Sequence, residues 1–418
     1  MVQYEKRHMT LEHRTYKRAP FARERCTQCG ECFSQCPMLH FPEEKAKRAI
    51  KNLAACFFEK GTASKEARQV LSQCTSCFSC NVTCPEDCRP ANLILDLWYK
   101  QYKKKGLPER ARYFLPHSVP NFRTYVLERH AEDEQQAVES WKSLEPVEEI
   151  FYPGCNIIAS PYLTFSRIFD GMTIRGALEY CCGEMYFRMG LYDQVEQTAR
   201  KTTRYFRKLG VKRVYMLCTA GLNLFTNVLP QFGADFDDIT FVPFLKTLYE
   251  RLAAGVWPIV KRFDGKTVTV QDSCHGKLYE PGFCEWSRKI LTLLGFEIRE
   301  AEYNRQAAVC CGIGSGFSHA ASYGMLNMAR GQRLCRKNAG GPGADCIAAY
   351  CAGCLEMMSA ARTVYWDRTP VYHVLELIQE AIGETPRRRQ GRIAFDFVKG
   401  TLFNQKQSGR RFFVPPLE

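Results

Sequence analysis

Within residues 42–60 the apolar side chains Ile50, Leu53, Ala54 and Phe57 recur at helical spacing, and Gly61 supplies a stop. A second amphipathic segment, 91–105, sets Leu93, Ile94, Leu97 and Trp98 on one side and ends at Gly106. The early part of the chain therefore predicts a mostly α-helical module. Farther along, short apolar runs at 211–217, 268–270, 296–298 and 347–350 alternate with amphipathic stretches. That alternation predicts an α/β module with a largely parallel sheet.

Composition narrows the class. The 418 residues are 45% hydrophobic, ordinary for a chain that forms a core. No apolar stretch approaches the ~20 residues of a membrane-spanning helix, so any membrane link is expected to run through a partner. The N-terminus is polar and mixed in charge, without the apolar core of a secretory signal, so a cytoplasmic location is expected. The net charge of +14 is concentrated in the C-terminal tail, where Arg387, Arg388, Arg389, Arg392, Lys399, Lys406, Arg410 and Arg411 have only Asp396 among them. Such a tail is either solvated or docks on a protein partner or membrane surface. No helix-turn-helix, RRM or finger pattern points to nucleic acid. Residues 127–149 carry Glu128, Glu132, Asp133, Glu134, Glu139, Glu145, Glu148 and Glu149, the composition of an exposed helix or connector.

Twenty-two cysteines in a large chain without an export signal point to metal ligation rather than a disulfide scaffold. They cluster at 26–88, stop until Cys155 and recur to Cys354. We divide the chain into an N-terminal extension (1–20), a helical module (21–106), a linker (107–147), two repeated units (148–262 and 263–385) and the basic tail (386–418).

The helical module contains Cys26-x-x-Cys29-x-x-Cys32-x-x-x-Cys36-Pro37 and Cys74-x-x-Cys77-x-x-Cys80-x-x-x-Cys84-Pro85, each the full run of a two-cluster bacterial ferredoxin. Three thiolates on one tight loop grip three irons of a cubane, and the fourth, redirected by proline, reaches the other cluster. Cys26, Cys29, Cys32 and Cys84 are thus expected to hold one [4Fe-4S] cubane, and Cys74, Cys77, Cys80 and Cys36 the other. Zinc sites favour paired Cys-x-x-Cys, and the Cys-x-x-Cys-His ending of haem attachment is absent. Cys56 and Cys88 fall outside the pattern, and Cys56 reads as a small hydrophobe on the buried helix face.

The later cysteines repeat: Cys155 or Cys274, then Cys181-Cys182-Gly183 or Cys310-Cys311-Gly312, then Cys218 or Cys351 after a strand-like run. Neighbouring cysteines make a strained disulfide, whereas two irons of one cluster accept both thiols. The second unit offers five thiols, Cys274, Cys310, Cys311, Cys351 and Cys354, one more than a cubane uses. Cys351 and Cys354 open a helix, whose N-terminus favours thiolates.

This order of motifs resembles the CCG domain of the heterodisulfide reductase family, and with the ferredoxin motifs in front the layout resembles its D subunit, or a fusion of its C and B subunits. Iron-sulfur subunits of anaerobic glycerol-3-phosphate dehydrogenase and glycolate oxidase share that layout. The resemblance spans roughly residues 20–380 and implies a noncubane [4Fe-4S] cluster on the five thiols of the second unit. The first unit departs from it: Cys155, Cys181, Cys182 and Cys218 match, but Gly221 stands where the last cysteine belongs. No noncubane cluster is expected there, a modified or cubane cluster being the alternative.

His275 is the candidate to donate a hydrogen bond or proton beside that cluster, with capping or packing as the other reading, and Lys277 is expected to balance its charge. Gly312, Gly314 and Gly316 read as close backbone approach to a cluster rather than a nucleotide loop. Cys284, Cys335 and Cys346 read as structural thiols. No flavin or NAD site is expected on this chain. Its partners are then other subunits of a redox complex: a flavoprotein, a reductase or a membrane cytochrome. The function expected is an electron relay between the two cubanes and the noncubane cluster. The competing readings are a thiol-disulfide or quinone reductase acting at the noncubane cluster, and a scaffold with vestigial second-half cysteines.

Overall fold

The computed structural model describes residues 20–280, 282–314, 325–365, 369–406 and 408–417, with 10–11 and 14–17 as a short antiparallel hairpin. Gly316 and most of the N-terminal extension lie outside the described residues.

The predicted helices form at Glu43–Phe58 and Pro90–Lys105. The first buries Ala46, Ala49, Ile50, Leu53 and Ala54, a stripe at the helical period. The second begins with proline, carries Lys103, Lys104 and Lys105 in its last turn and stops at Gly106, whose φ of 66° leaves no room for a side chain against the Phe412 carbonyl. Trp98 is fully buried and its indole N–H donates to the Leu71 carbonyl at 3.2 Å. Between these helices Lys65–Gln73 is capped by the Ser64 hydroxyl. Cys56, expected to be buried, is half-buried, because it lies toward the edge of the stripe near Asn52.

The second half holds two parallel sheets. In one, Glu149–Tyr152, Arg213–Met216 and Thr240–Pro243 pair in chain order. In the other the order is Val371–His373, Cys346–Ala349, Thr267–Gln271 and Glu297–Ile298. Parallel neighbours require crossovers, and the helix Tyr192–Leu209 supplies the first. Thr267–Gln271 is buried along its whole length, as a central parallel strand must be. The repeat is visible in the strands: Glu149–Tyr152, Arg213–Met216 and Thr240–Pro243 lie side by side in one unit as Thr267–Gln271, Cys346–Ala349 and Val371–His373 do in the other, which adds Glu297–Ile298 on the far side of Thr267–Gln271. Cys155 and Cys274 follow Glu149–Tyr152 and Thr267–Gln271, and Cys218 and Cys351 follow the neighbouring strands Arg213–Met216 and Cys346–Ala349, so the thiols collect at the carboxyl ends of adjacent strands.

Part of the acidic stretch is tied to the start of the basic tail. Glu134 is fully buried, with Arg389 at 3.1 Å, and Arg387 pairs with Asp133 at 2.6 Å. The helix Gln390–Asn404 packs on Phe122–Leu127 and Ala352–Val364, with Phe122 and Phe397 edge to face at 5.0 Å. Arg411–Phe412 pairs antiparallel with Leu107–Pro108, tying the end of the chain to the end of the helical module.

Candidate metal centres

Cys26, Cys29 and Cys32, on a loop and the short helix Glu31–Ser34, meet Cys84 from the other motif around a small cavity, which Ile50, Pro85 and Pro90 also line. Cys36 lies elsewhere, in mutual electrostatic contact with Cys74 and Cys77 and close to Cys80. The chain thus crosses its fourth thiols between the two groups. Equivalent loop positions take the same left-handed backbone: Gln28 and Ser76 have φ of 59° and 46°, Gly30 and Phe78 of 83° and 62°. At Gly30 a side chain would sit 2.6 Å from the Lys47 nitrogen, so glycine is required. Phe78 accepts the strained conformation while stacking on Phe187 at 5.7 Å. These turns aim backbone N–H groups at sulfur: Ser76 donates to Cys74 Sγ and Cys88 to Cys84 Sγ, both at 3.3 Å. Burial pushes the Cys36 thiol up to about 12 and raises Cys32 and Cys80 as well. Packed thiols that resist ionisation on their own, with N–H groups directed at them, fit iron-sulfur clusters, whose irons compensate the thiolate charge.

In the second CCG unit all five expected thiols come together. Cys274 is in hydrogen-bond contact with Cys310, Cys310 with Cys311, Cys311 with Cys354, and Cys354 with Cys351. Hydrogen bonds from Cys310 and Cys354 hold Cys311 down at about 5, and one from Cys354 holds Cys351 at about 6. In the first unit Cys155, Cys181 and Cys182 are joined in the same way, and Cys218 faces them. A Cβ on Gly221 would meet the Met216 methyl at 2.5 Å, so Met216 occupies the space of the missing fifth thiol. The two units confront one another here. Cys218 faces Cys351, and Asn156, beside Cys155, abuts Gly353.

Arg188 joins the second unit to the ferredoxin module. It is 1% exposed, and its Nη1 donates to the carbonyls of Thr75 and Ser76, each at 3.1 Å, in the loop between Cys74 and Cys77. Its Nη2 reaches Cys274 Sγ at 3.4 Å, and Nη1 lies 3.9 Å from Cys310 Sγ. Glu184, one turn earlier on the helix Glu184–Arg188, accepts from its Nε at 2.5 Å. His275 completes the group: its Nε2 lies 2.8 Å from both Glu184 Oε1 and Arg188 Nη2, and its Nδ1 is 3.2 Å from the Asn223 amide. Burial opposes ionisation of Glu184, yet Arg188 and His275 hold its carboxyl well below the usual range. Gly314 passes so near Arg188 and the Thr75 carbonyl that no side chain fits, so this glycine serves close backbone approach to the bridge.

Lys277 is a correction to the sequence reading. Its Nζ donates to Ser79 Oγ at 2.6 Å and to the Ala308 carbonyl at 2.9 Å, and its charge bears on Cys36 and Cys77 rather than on the five-thiol site. It serves the ferredoxin centre because the short helix after Cys274 sets its ammonium on Ser79, the first residue of the helix Ser79–Val82.

Comparison with known proteins agrees with these two kinds of centre. Residues 22–88 match the 4Fe-4S dicluster domain, and residues 151–220 and 268–359 match the cysteine-rich domain. The D subunit of the dihydromethanophenazine:CoB–CoM heterodisulfide reductase of Methanosarcina barkeri is 24% identical over 86% of this chain and 93% of its own length. Its counterpart in Methanosarcina mazei is 22% identical with the same coverage. This chain thus carries a 4Fe-4S dicluster domain followed by cysteine-rich CCG segments and is similar to heterodisulfide reductase D subunits. The EtfAB:quinone oxidoreductase of Syntrophomonas wolfei is 25% identical over 50% of this chain and 29% of its own length. Iron-sulfur clusters are the cofactors of this CCG-domain protein.

In the CCG-domain protein, spacing alone missed Arg188, Glu184 and Cys88. Cys88 is buried against Cys84 and lines the first cavity. Arg188 and Glu184 had one local signal, an i,i+4 carboxylate-arginine pair just after Cys181-Cys182-Gly183. Arg123 was missed too; it is buried, and its charge faces Cys155 and Cys181 as that of Arg188 faces Cys274 and Cys310. Cys284, Cys335 and Cys346 are buried, Cys335 with its thiol 3.0 Å from Gln271 Oε1. Among the described residues no helix is long and apolar enough to cross a membrane.

Proposed function

We propose that this chain is the electron-relay subunit of a cytoplasmic heterodisulfide-reductase-like complex. One cubane is assigned to Cys26, Cys29, Cys32 and Cys84, the other to Cys74, Cys77, Cys80 and Cys36, and a noncubane cluster to Cys274, Cys310, Cys311, Cys351 and Cys354. When bound, these groups supply reversible one-electron transfer. The observation that carries the reading is Arg188, whose guanidinium touches both the Cys74–Cys77 loop and the thiols Cys274 and Cys310. A single buried side chain thereby fixes the spacing of the two centres and gives both a positive neighbour. Lys277 adds a second cation at the ferredoxin side. Glu184 and His275 orient Arg188 and are positioning residues. All five thiols are only 4 to 7% exposed, which favours a relay over a reductase that admits substrate at this cluster. The outer electron donor and acceptor are then other subunits: a flavoprotein, a reductase or a membrane cytochrome.

Iron and sulfide analysis with EPR on the anaerobically purified protein tests this. About twelve irons per chain are expected, four for each of three clusters. Cys310→Ser is expected to remove about four of them and one EPR signal while both cubane signals persist. If that substitution left iron content and every signal unchanged, the noncubane assignment would be wrong.

A further inference from the structure

The helix Gln390–Asn404 is apolar on both sides. Its inner side, with Ile393, Phe397 and Thr401, is buried against the rest of the protein. On its outer side Phe395, Leu402 and Phe403 are 54, 62 and 76% exposed. Phe395, Lys399 and Leu402 are spaced by four and three residues, so they share one stripe of the helix. A surface helix normally turns charged residues outward, and large exposed apolar side chains gathered on one face around a lysine mark an interaction surface.

The charges nearby fall into two groups. Arg387, Arg388, Arg389 and Arg392 are all used internally, against Asp133, Glu380, Glu134 and Asp396. The cations beyond them are not. Lys399, Lys406 and Arg410 make no ion pair among the described residues, and Glu109, whose charge Lys406 and Arg410 meet, is already bonded to Arg112 at 2.7 Å. Arg411 donates to the carbonyls of Lys105 and Gly106, at 2.8 and 2.7 Å, which brings the exposed ammonium stems of Lys104 and Lys105 to the same strand pair.

We infer that the outer face of helix Gln390–Asn404 docks on an anionic bilayer surface. Large apolar side chains flanked by unpaired cations are complementary to a bilayer. Phe395, Leu402 and Phe403 enter the boundary between headgroups and acyl chains while Lys399, Lys406 and Arg410 reach the phosphates. The helix lies flat on the protein and is about 22 Å long, so the contact is peripheral. This goes beyond the relay reading and does not depend on it: membrane contact here needs no other polypeptide.

Flotation of the full-length, cluster-loaded protein with vesicles tests the inference. Binding is expected to phosphatidylcholine mixed with phosphatidylglycerol, to weaken with salt, and to be absent with phosphatidylcholine alone. Leu402→Glu/Phe403→Glu and, separately, Lys399→Gln/Lys406→Gln should each lower the partition coefficient roughly tenfold or more, with iron content and far-UV circular dichroism unchanged. Failure of the wild-type protein to float with anionic vesicles overturns the proposal and assigns the face to a protein partner. Equal binding by wild type and both variants also overturns it.

Discussion

Arg188→Met is isosteric enough to fill the same buried channel but leaves three kinds of partner behind. The Glu184 carboxylate loses its cation at 2.5 Å, the Thr75 and Ser76 carbonyls lose their donors at 3.1 Å, and Cys274 loses the N–H at 3.4 Å. Orphaning one member of a buried ion pair costs about 3–5 kcal/mol, and each unmet buried carbonyl about 1–3 kcal/mol. Relaxation of the shared loop makes these terms overlap, so we expect a loss of about 5 kcal/mol, a large fraction of a typical domain's stability. In anaerobic urea titrations followed by circular dichroism this corresponds to a fall in midpoint of about 1 M or more. Removing the stranded charge as well, in Arg188→Met/Glu184→Gln, is expected to recover more than half of that loss. A redox titration of the signal lost in Cys310→Ser gives an independent readout: without the Arg188 charge it should move to more negative potential. The reasoning is refuted if the single variant keeps the wild-type midpoint and potential, or if the double variant is no more stable than the single.

Two other variants probe neighbouring features. Burial raises the Glu376 carboxyl from its ordinary 4.5 to about 7, so the folded protein holds that proton more tightly than the unfolded chain. The stability linked to it is therefore complete below pH 4.5 and lost as pH rises toward 7. Glu376→Gln, which can still accept from the His373 N–H, should then be more stable than wild type at pH 8, by up to about 3 kcal/mol, and show little difference at pH 5. A pH-independent difference in unfolding midpoint would contradict this. Restoring the absent thiol by Gly221→Cys in a Met216→Ala background, which vacates the space, is expected to add about four irons per chain to the first CCG unit. Unchanged iron would show that the first unit lacks more than one ligand.

The two long helices of the ferredoxin module were legible because their signals are local. Ile50, Leu53 and Ala54 repeat at the helical period, and Gly106 stops the second helix where a side chain has no room. The cysteine groups were legible for a similar reason: two or three intervening residues decide which thiols share one loop, and strand ends decide where the others gather. Lys277 could not be placed from its sequence neighbour Cys274. Its partner Ser79 is 198 residues away, and only the packing of the two modules reveals that it serves the other centre. Glu134 looked like a solvated acid because Arg389, which buries with it, lies 255 residues on. Arg188 was silent for the same reason, its carbonyl partners being 113 and 112 residues earlier. The sequence by itself determined the cysteine groups and the kinds of element that carry them, since covalent spacing and side-chain periodicity act over a few residues. Only the tertiary structure decided which charges face which thiols and how the tail is covered, because those contacts arise when separately formed units pack.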